Sequence, residues 1–284
     1  MIFDIAAFKI KIQCCQSAQF KLFETFYKDY QAFVVDQKES IDFTITIVPF
    51  DSFPLSSIKF VKRKKYFYYE KKGMFIIRTQ GAIASVIMSK KEIALGLKNR
   101  KSASSKTIGI LLSFLRLALS ICAVLKGGLP IHSSAIVLGN DGFAFSGPSG
   151  AGKSTIANLL LPSGQLLSDD LNIILPFRKN GYKIYSTPFA HPEALKKCVN
   201  RGANLKTIFF IEKSNKNKIE ILSLNKIFSL LLGQTLFSPL SDIFSEKMLN
   251  NAKRLCGNVK CKRLYFINNS TICSFIGNYA KGPA

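Results

Sequence analysis

The strongest chemical signal in the chain is the run Gly147-Pro148-Ser149-Gly150-Ala151-Gly152-Lys153-Ser154, followed by Thr155. It fits G-x-x-x-x-G-K-[ST], a loop that cradles phosphates. Glycines permit the tight turns that aim successive backbone N–H groups at phosphate oxygens. A helix that follows such a loop adds the positive end of its dipole. Lys153 is then expected to reach the β- and γ-phosphates, and the Ser154 hydroxyl to ligate Mg²⁺. The nine residues Gly147 to Thr155 are therefore the candidate nucleotide-binding set, with ATP and Mg²⁺ as the implied cofactors.

A second stretch completes that chemistry. Gln165-Leu166-Leu167-Ser168 leads into Asp169-Asp170, and then into Leu171-Asn172-Ile173-Ile174. An apolar strand ending in carboxylates supplies a Mg²⁺ position beside a triphosphate. Two adjacent carboxylates allow two roles, one on the metal and one accepting a proton from an attacking hydroxyl. Two histidines occur, His132 just before the strand that leads to the loop, and His191 in a turn-rich segment. His132 is a candidate partner of the phosphates. Glu193 is a further candidate metal ligand beside Ser154 and Asp170.

A phosphate loop works only between a strand and a helix, and the flanking sequence offers both. Ala135–Leu138 and Gly142–Ser146 read as strands around a Gly139-Asn140-Asp141 turn. Ile156–Leu161 reads as a helix stopped by Pro162-Ser163-Gly164. Beyond the acid pair, Thr207–Glu212 and Lys218–Leu222 read as a strand pair around a Lys-Asn turn. Leu224–Gln234 and Ser241–Leu255 read as amphipathic helices, and Arg263–Ile267 as a last strand.

Residues 1 to about 100 read as a β-rich region. Ile41–Ile47 alternates apolar and polar residues, Tyr66–Arg78 has the pattern of a hairpin, and Ile83–Met88 reads as a further strand. Phe20–Tyr30 reads as a short helix. Lys98–Lys106 is polar and serine-rich, as a linker is. Ile108–Leu125 is almost wholly apolar, yet carries Arg116 at its centre. A charge there costs about 2.5–3.5 kcal/mol on membrane-insertion scales, and the segment is short for a span. It reads as a buried core helix, starting near Ser104 or Ser105 and closed by Lys126-Gly127-Gly128. The expected architecture is a β-rich α+β region over 1–104 and an α/β domain over 105–284, built on a mixed, twisted sheet.

Composition sets outer limits. With 48% hydrophobic residues among 284, the chain can bury a core and is not of the disordered class. Cys14, Cys15, Cys122, Cys198, Cys256, Cys261 and Cys273 form no C-x-x-C pattern. They read as reduced thiols of a cytoplasmic protein, not as disulfides or zinc ligands. No basic segment leads into a long apolar core at the N-terminus, so no signal peptide is expected. The net charge of +23 favours acidic or polyanionic partners. Lys62-Arg63-Lys64-Lys65 is the densest basic run, either a docking surface or a solvated strand end. No nucleic-acid motif accompanies it, so nucleic acid is not favoured. A membrane is not expected as a partner, and a homo-oligomer is compatible with everything above.

Taken together, Pro130-Ile131-His132-Ser133-Ser134-Ala135, the loop, and Leu167-Ser168-Asp169-Asp170 resemble the catalytic half of the HPr serine kinase/phosphorylase family. That family shares its fold with ATP-dependent phosphoenolpyruvate carboxykinases. Gly202–Glu212 resembles the strand that follows in the same group. The similarity covers roughly residues 105 to 270. It is nearest to the smaller HPr-kinase-like proteins found with biosynthetic clusters of ribosomally made peptides, including lasso peptides. Residues 1 to 100 do not match the regulatory half of HPr kinase, and the C-terminal signature of the phosphorylase reaction is not evident.

The resemblance implies an ATP-dependent serine kinase acting on a peptide or protein. Lys153 would bind phosphates and Ser154 the metal. Asp169 and Asp170 would divide the base and metal roles, and His132 would sit near the transferred group. The family places an arginine where this chain has Ala203, with Arg201 two residues earlier as the candidate. Lys196, Lys197, Arg201 and Lys206 follow the acid pair and are candidates to hold an acidic acceptor. Two other readings stay open: a small-molecule kinase of the same fold, and a nucleotide-binding regulator without phosphotransfer.

Overall fold

The computed structural model describes residues 1–15, 24, 28, 30–35, 40–53, 58–62, 67–71, 73–98, 105–235 and 242–282. Most of the Phe20–Tyr30 segment, Arg63–Lys65, and positions 99–104 of the expected linker lie outside them. The chain forms two compact units, Met1–Cys122 and Ala123–Ala284.

In the first unit, nine strands join in one sheet among the described residues. They are β1 (Ile2–Ile5), β2 (Phe8–Cys14), β3 (Val34–Val35), β4 (Phe43–Pro49), β5 (Val61–Lys62), β6 (Phe67–Lys71), β7 (Met74–Arg78), β8 (Ala82–Ile87) and β9 (Glu92–Leu97). Their order is β3-β1-β2-β4-β9-β8-β7-β6-β5. The expected alternation appears in β4, where Phe43, Ile45 and Ile47 are buried and Thr44 and Thr46 are half-buried. The β1–β2 hairpin turns through Ala6 and Ala7, both at positive φ. Asparagine and glycine are the usual residues of such a turn, so this hairpin carried no turn signal in the sequence.

Helix α1 (Ser105–Leu125) ends as expected. Gly127 takes a left-handed φ of 80°, and the Gly128 and Gly127 N–H groups donate to the Ala123 and Val124 carbonyls. That pair of bonds is the Schellman closure of a helix. By length and composition the helix is capable of crossing a membrane, but 56% of its most apolar window is buried within the structure. Leu111, Leu115, Ala118 and Leu119 have no exposed surface. The division between the two compact units falls inside this helix. Its first turns lie against the first sheet, where Gly81, Leu97 and Ile110 line one shared pocket.

The second unit holds β10 (Leu129–Leu138), β11 (Asp141–Ser146), α2 (Lys153–Leu160), β12 (Gln165–Ser168), β13 (Leu171–Phe177), β14 (Gly181–Tyr185), α3 (Pro192–Leu195), β15 (Gly202–Lys213), β16 (Lys218–Ile221), α4 (Leu224–Gly233), α5 (Asp242–Asn258), β17 (Lys260–Phe266) and α6 (Thr271–Lys281). The sheet is mixed: β15 runs parallel to β11 and β17, while its other pairings are antiparallel. Strands β11, β10, β13, β14 and β15 pair in a closed ring. This is the expected α/β architecture with a mixed sheet.

Strand periodicity assigns the two faces of the sheet to different cores. Phe143, Phe145, Phe209, Ile211, Leu264 and Phe266 pack against Ile156 and Leu160 of α2 and Ile272 and Ile276 of α6. Ala144, Ile208, Phe210 and Cys261 pack on the side of Ile227 and Leu231 of α4 and Leu255 of α5. One expectation needs correction. Thr207–Glu212 and Lys218–Leu222 are not a hairpin, because β17 lies between β15 and β16 and bonds to both. Neighbouring strands in sequence met a better partner from further along the chain.

Candidate functional site

The glycine-rich loop joins the C-terminal end of β11 to the N-terminus of α2. Gly150 and Gly152 take φ of 80° and 100°, and Gly152 caps the helix by accepting a hydrogen bond from Ile156 N–H at 2.9 Å. The Ala151 N–H closes a turn onto the Pro148 carbonyl at 3.2 Å. The Lys153 ammonium folds back over the loop and donates to the Gly147 and Pro148 carbonyls at 2.8 and 3.1 Å. Burial pushes its pKa below the ordinary lysine value, and the Asp170 charge opposes that shift. A cation is thus held at the loop's mouth by weak neutral acceptors, which an anion of higher charge would displace.

A cleft of about 330 Å³ opens above the helix N-terminus. His132, Ser149, Gly150, Gly152, Lys153, Ser154, Thr155, Asp169 and Asp170 all line it. Those residues come from three places in the sequence: β10, the loop with α2, and the turn between β12 and β13. What converges them is pairing of β12 and β13 with the same strand, β10. Asp169 is almost wholly buried, and its Oδ1 accepts from the His191 N–H at 3.3 Å. Asp170 is more open, with Oδ1 at 3.4 Å from His132 Nε2.

A buried polar network holds the acid turn in place. The Ser134 hydroxyl donates to the Asp169 carbonyl at 3.3 Å, and the Ser133 N–H to the Asp170 carbonyl at 3.2 Å. Asn172 Nδ2 donates to the Ser133 carbonyl at 2.7 Å, and Ser146 Oγ to the His132 carbonyl at 2.8 Å. These side chains sit within otherwise apolar strands, which was the available signal for them. Buried polar groups in strand interiors are costly unless partnered.

The structure does not bring every candidate together. Glu193 is exposed on α3 and does not line the cleft; His191, two residues earlier, does. Lys196 and Lys197 are exposed beyond α3, and neither lines the cleft. Arg201 donates to Gln165 Oε1 at 2.8 Å, at the start of β12 and so at the far end of that strand from Asp169. Lys206 pairs with Asp141 at 2.7 Å, at the start of β11. Since β11 and β15 are parallel, both cations lie at the sheet edge opposite the loop. From Arg201 to the level of Phe210, beside Ser146, is roughly 30 Å of strand. A cation the sequence reading missed stands at the cleft instead. Lys213 ends β15, lines the cleft, and makes no ion pair among the described residues. Parallel pairing of β15 with β11 carries it to the loop.

The donor set fits a hard divalent cation. Mg²⁺ is commonly held by one or two carboxylates together with substrate phosphates, and Asp169, Asp170 and Ser154 face one cleft. Glu193 is not part of that set. Among the described residues, no cluster of three or more His, Cys, Asp or Glu forms a protein-only cage. The cysteines are remote from this chemistry in character. Burial, with Asp169 nearby, pushes the Cys198 thiol up to about 12, and burial takes Cys256 to about 11 and Cys261 to about 12.

Fold and cleft together define an α/β protein with a glycine-rich loop facing paired carboxylates across the C-terminal edge of a mixed sheet. The chain belongs to the family described as SynChlorMet cassette protein ScmC, whose match spans residues 97–256, more than half of the chain. Among solved structures it is similar to the HPr(Ser) kinase/phosphatase from Coxiella burnetii, with a TM-score of 0.31 and 14% identity, over 54% of this chain and 93% of that one. No curated protein matches the chain.

Proposed function

We propose that this protein is a cytoplasmic ATP-dependent kinase that phosphorylates a serine hydroxyl on a peptide or protein. The observation that carries the reading is the shared cleft. Lys153, Ser154, Asp169, Asp170 and His132 line one cavity at the N-terminus of α2, although 38 residues separate His132 from Asp170. A ribosomally made precursor peptide is the favoured acceptor. The family is described as a cassette protein, so its acceptor is to be sought among the products of the same cassette.

The loop N–H groups, the α2 N-terminus and Lys153 would bind the triphosphate. Ser154 and one aspartate would hold Mg²⁺, which when bound neutralises developing phosphate charge. The other aspartate accepts the serine proton. The serine oxygen forms the new bond to the γ-phosphorus as the γ-to-β bridging bond breaks, and ADP leaves with that electron pair. Asp170 is the better placed base, because it is the more open carboxylate and His132 orients it. Asp169, buried and hydrogen-bonded to the His191 N–H, suits the metal side. Most of the acceleration would come from positioning and preorganised charge.

The test is incubation of the protein with labelled ATP, Mg²⁺ and the peptides of its own cassette. Label on serine, lost in Lys153→Ala, supports the reading. ATP hydrolysis with no label on any acceptor would instead favour a nucleotide-dependent regulator.

A further inference from the structure

The loop has a second side. A groove of about 510 Å³ runs along it, floored by Phe210, Ile211 and Leu230 and rimmed by Lys213, Gln234 and Arg263. Ser149, Gly150 and Lys213 line both cavities, so the loop is the wall between them. Gly147 and Pro148 face the groove only, whereas Ser154 and Thr155 face the cleft only.

We propose that this groove is the acceptor subsite. It takes a serine-bearing peptide segment with an apolar residue next to the serine and acidic residues on its flanks. The proposal rests on the kinase reading above. The geometry of phosphoryl transfer and the place of Lys153 support it. In-line transfer puts the attacking and leaving oxygens on opposite sides of the phosphorus. With the leaving diphosphate over Ser154 and Thr155, the hydroxyl must arrive from the Gly147–Pro148 side. The Lys153 ammonium already rests on the carbonyls of those two residues.

The groove is also tied to the base through His132. The Gln234 carbonyl accepts from the His132 N–H at 2.8 Å, and His132 Nε2 lies 3.4 Å from Asp170 Oδ1. A serine seated in the groove reaches Asp170 over Ser149 and Gly150, the loop residues that line both cavities.

Charge selects the flanks. Arg263 is balanced by Glu212 at 3.0 Å, but Lys213 has no ion-pair partner among the described residues. Lys216 and Lys218 follow in the adjoining loop and at the start of β16. This rim favours an acidic segment, and the apolar floor, with half-buried Leu230, favours a large aliphatic side chain.

The test uses the full chain and a fluorescein-labelled probe peptide, Asp-Glu-Leu-Ser-Leu-Glu-Asp. Peptide affinity is read by anisotropy, ATP affinity by calorimetry, and transfer by label on serine. Replacing a buried leucine contact in Leu230→Glu should raise the peptide Kd roughly tenfold or more, with ATP affinity within about twofold of wild type. Leu230→Ala, the gentler change, should give a several-fold rise and guards against misfolding of the first variant. Unchanged peptide affinity in both variants overturns the proposal, as does a wild type that binds no peptide of this charge. ATP affinity falling in step with peptide affinity overturns it too, and marks the groove as a nucleoside pocket. Leu230-dependent peptide binding without label on serine would sink the kinase reading and leave the groove assignment standing. Transfer with a peptide KM indifferent to Leu230 would do the reverse.

Discussion

Gly152 is where backbone conformation and packing meet at the site, and replacing it by alanine tests both. Its φ of 100° lies in the region that L-residues avoid. A Cβ there would stand 2.7 Å from Phe266 Cζ and 3.3 Å from Lys213 Cε. Gly150 is the control, with φ of 80° and open space where its Cβ would go. For Gly150→Ala the left-handed penalty of about 1–2 kcal/mol is offset by about 0.4–1 kcal/mol from a stiffer unfolded chain. The net is a loss of roughly 0.5–1 kcal/mol. Gly152→Ala adds a ring clash of overpacking type, about 1–3 kcal/mol, for a total of roughly 2–4 kcal/mol. For a unit of this size each kcal/mol moves Tm by about 2–4 °C. Calorimetry should therefore show a drop of roughly 4–16 °C for Gly152→Ala and about 1–4 °C for Gly150→Ala. Phe266→Leu in the Gly152→Ala background should recover part of the loss, a coupling of about 0.5–3 kcal/mol. Equal Tm shifts for the two glycines, or strict additivity with Phe266, would refute the packing argument.

The other expectations concern the charged groups and one buried amide. The Lys153 ammonium, its pKa lowered by burial, loses its proton at a lower pH than a free lysine does. ATP affinity should therefore weaken as pH rises toward the ordinary lysine range, and Lys153→Arg, always protonated, should flatten that limb in a calorimetric titration. Lys213→Ala should weaken ATP binding and transfer by roughly tenfold, as loss of one unpaired cation facing phosphate, with Tm unchanged; wild-type affinity would remove it from the site. Lys196→Ala, Lys197→Ala and Arg201→Ala combined should leave ATP affinity and acceptor KM as in wild type, because Arg201 is bound to Gln165 at the other end of the sheet. A raised acceptor KM in that variant would restore those residues as the acceptor track. Asn251 Nδ2 caps two carbonyls at the end of α1, those of Val124 and Gly128, at 2.9 and 3.1 Å. Asn251→Leu should cost about 2–4 kcal/mol in a denaturant titration while leaving ATP affinity intact.

Local signals in the sequence were enough for the loop, the acid pair and the strand–loop–helix order, because each depends on residues adjacent in the chain. The glycines permit tight turns there, and the structure takes positive φ at Gly150 and Gly152. The Lys126-Gly127-Gly128 stop and the alternation of β4 were legible for the same reason. The alanine turn of the first hairpin was silent, since Ala6 and Ala7 hold a conformation that composition does not advertise. Strand partners were not legible either. Nothing local told that β17 would enter between β15 and β16, or that β11, β10, β13, β14 and β15 would close a ring.

That pairing decided which cations line the cleft. Along the chain, Arg201 is closer to the acid pair than Lys213 is. Parallel register of β15 with β11 sends the start of the strand to one edge and Lys213 to the other, beside the loop. The sequence by itself determined what chemistry the loop and the carboxylates can do, because that resides in residue type and short spacing. Only the tertiary structure decided which distant side chains share the cleft, because a strand's direction and partner are set by where its whole apolar face is buried.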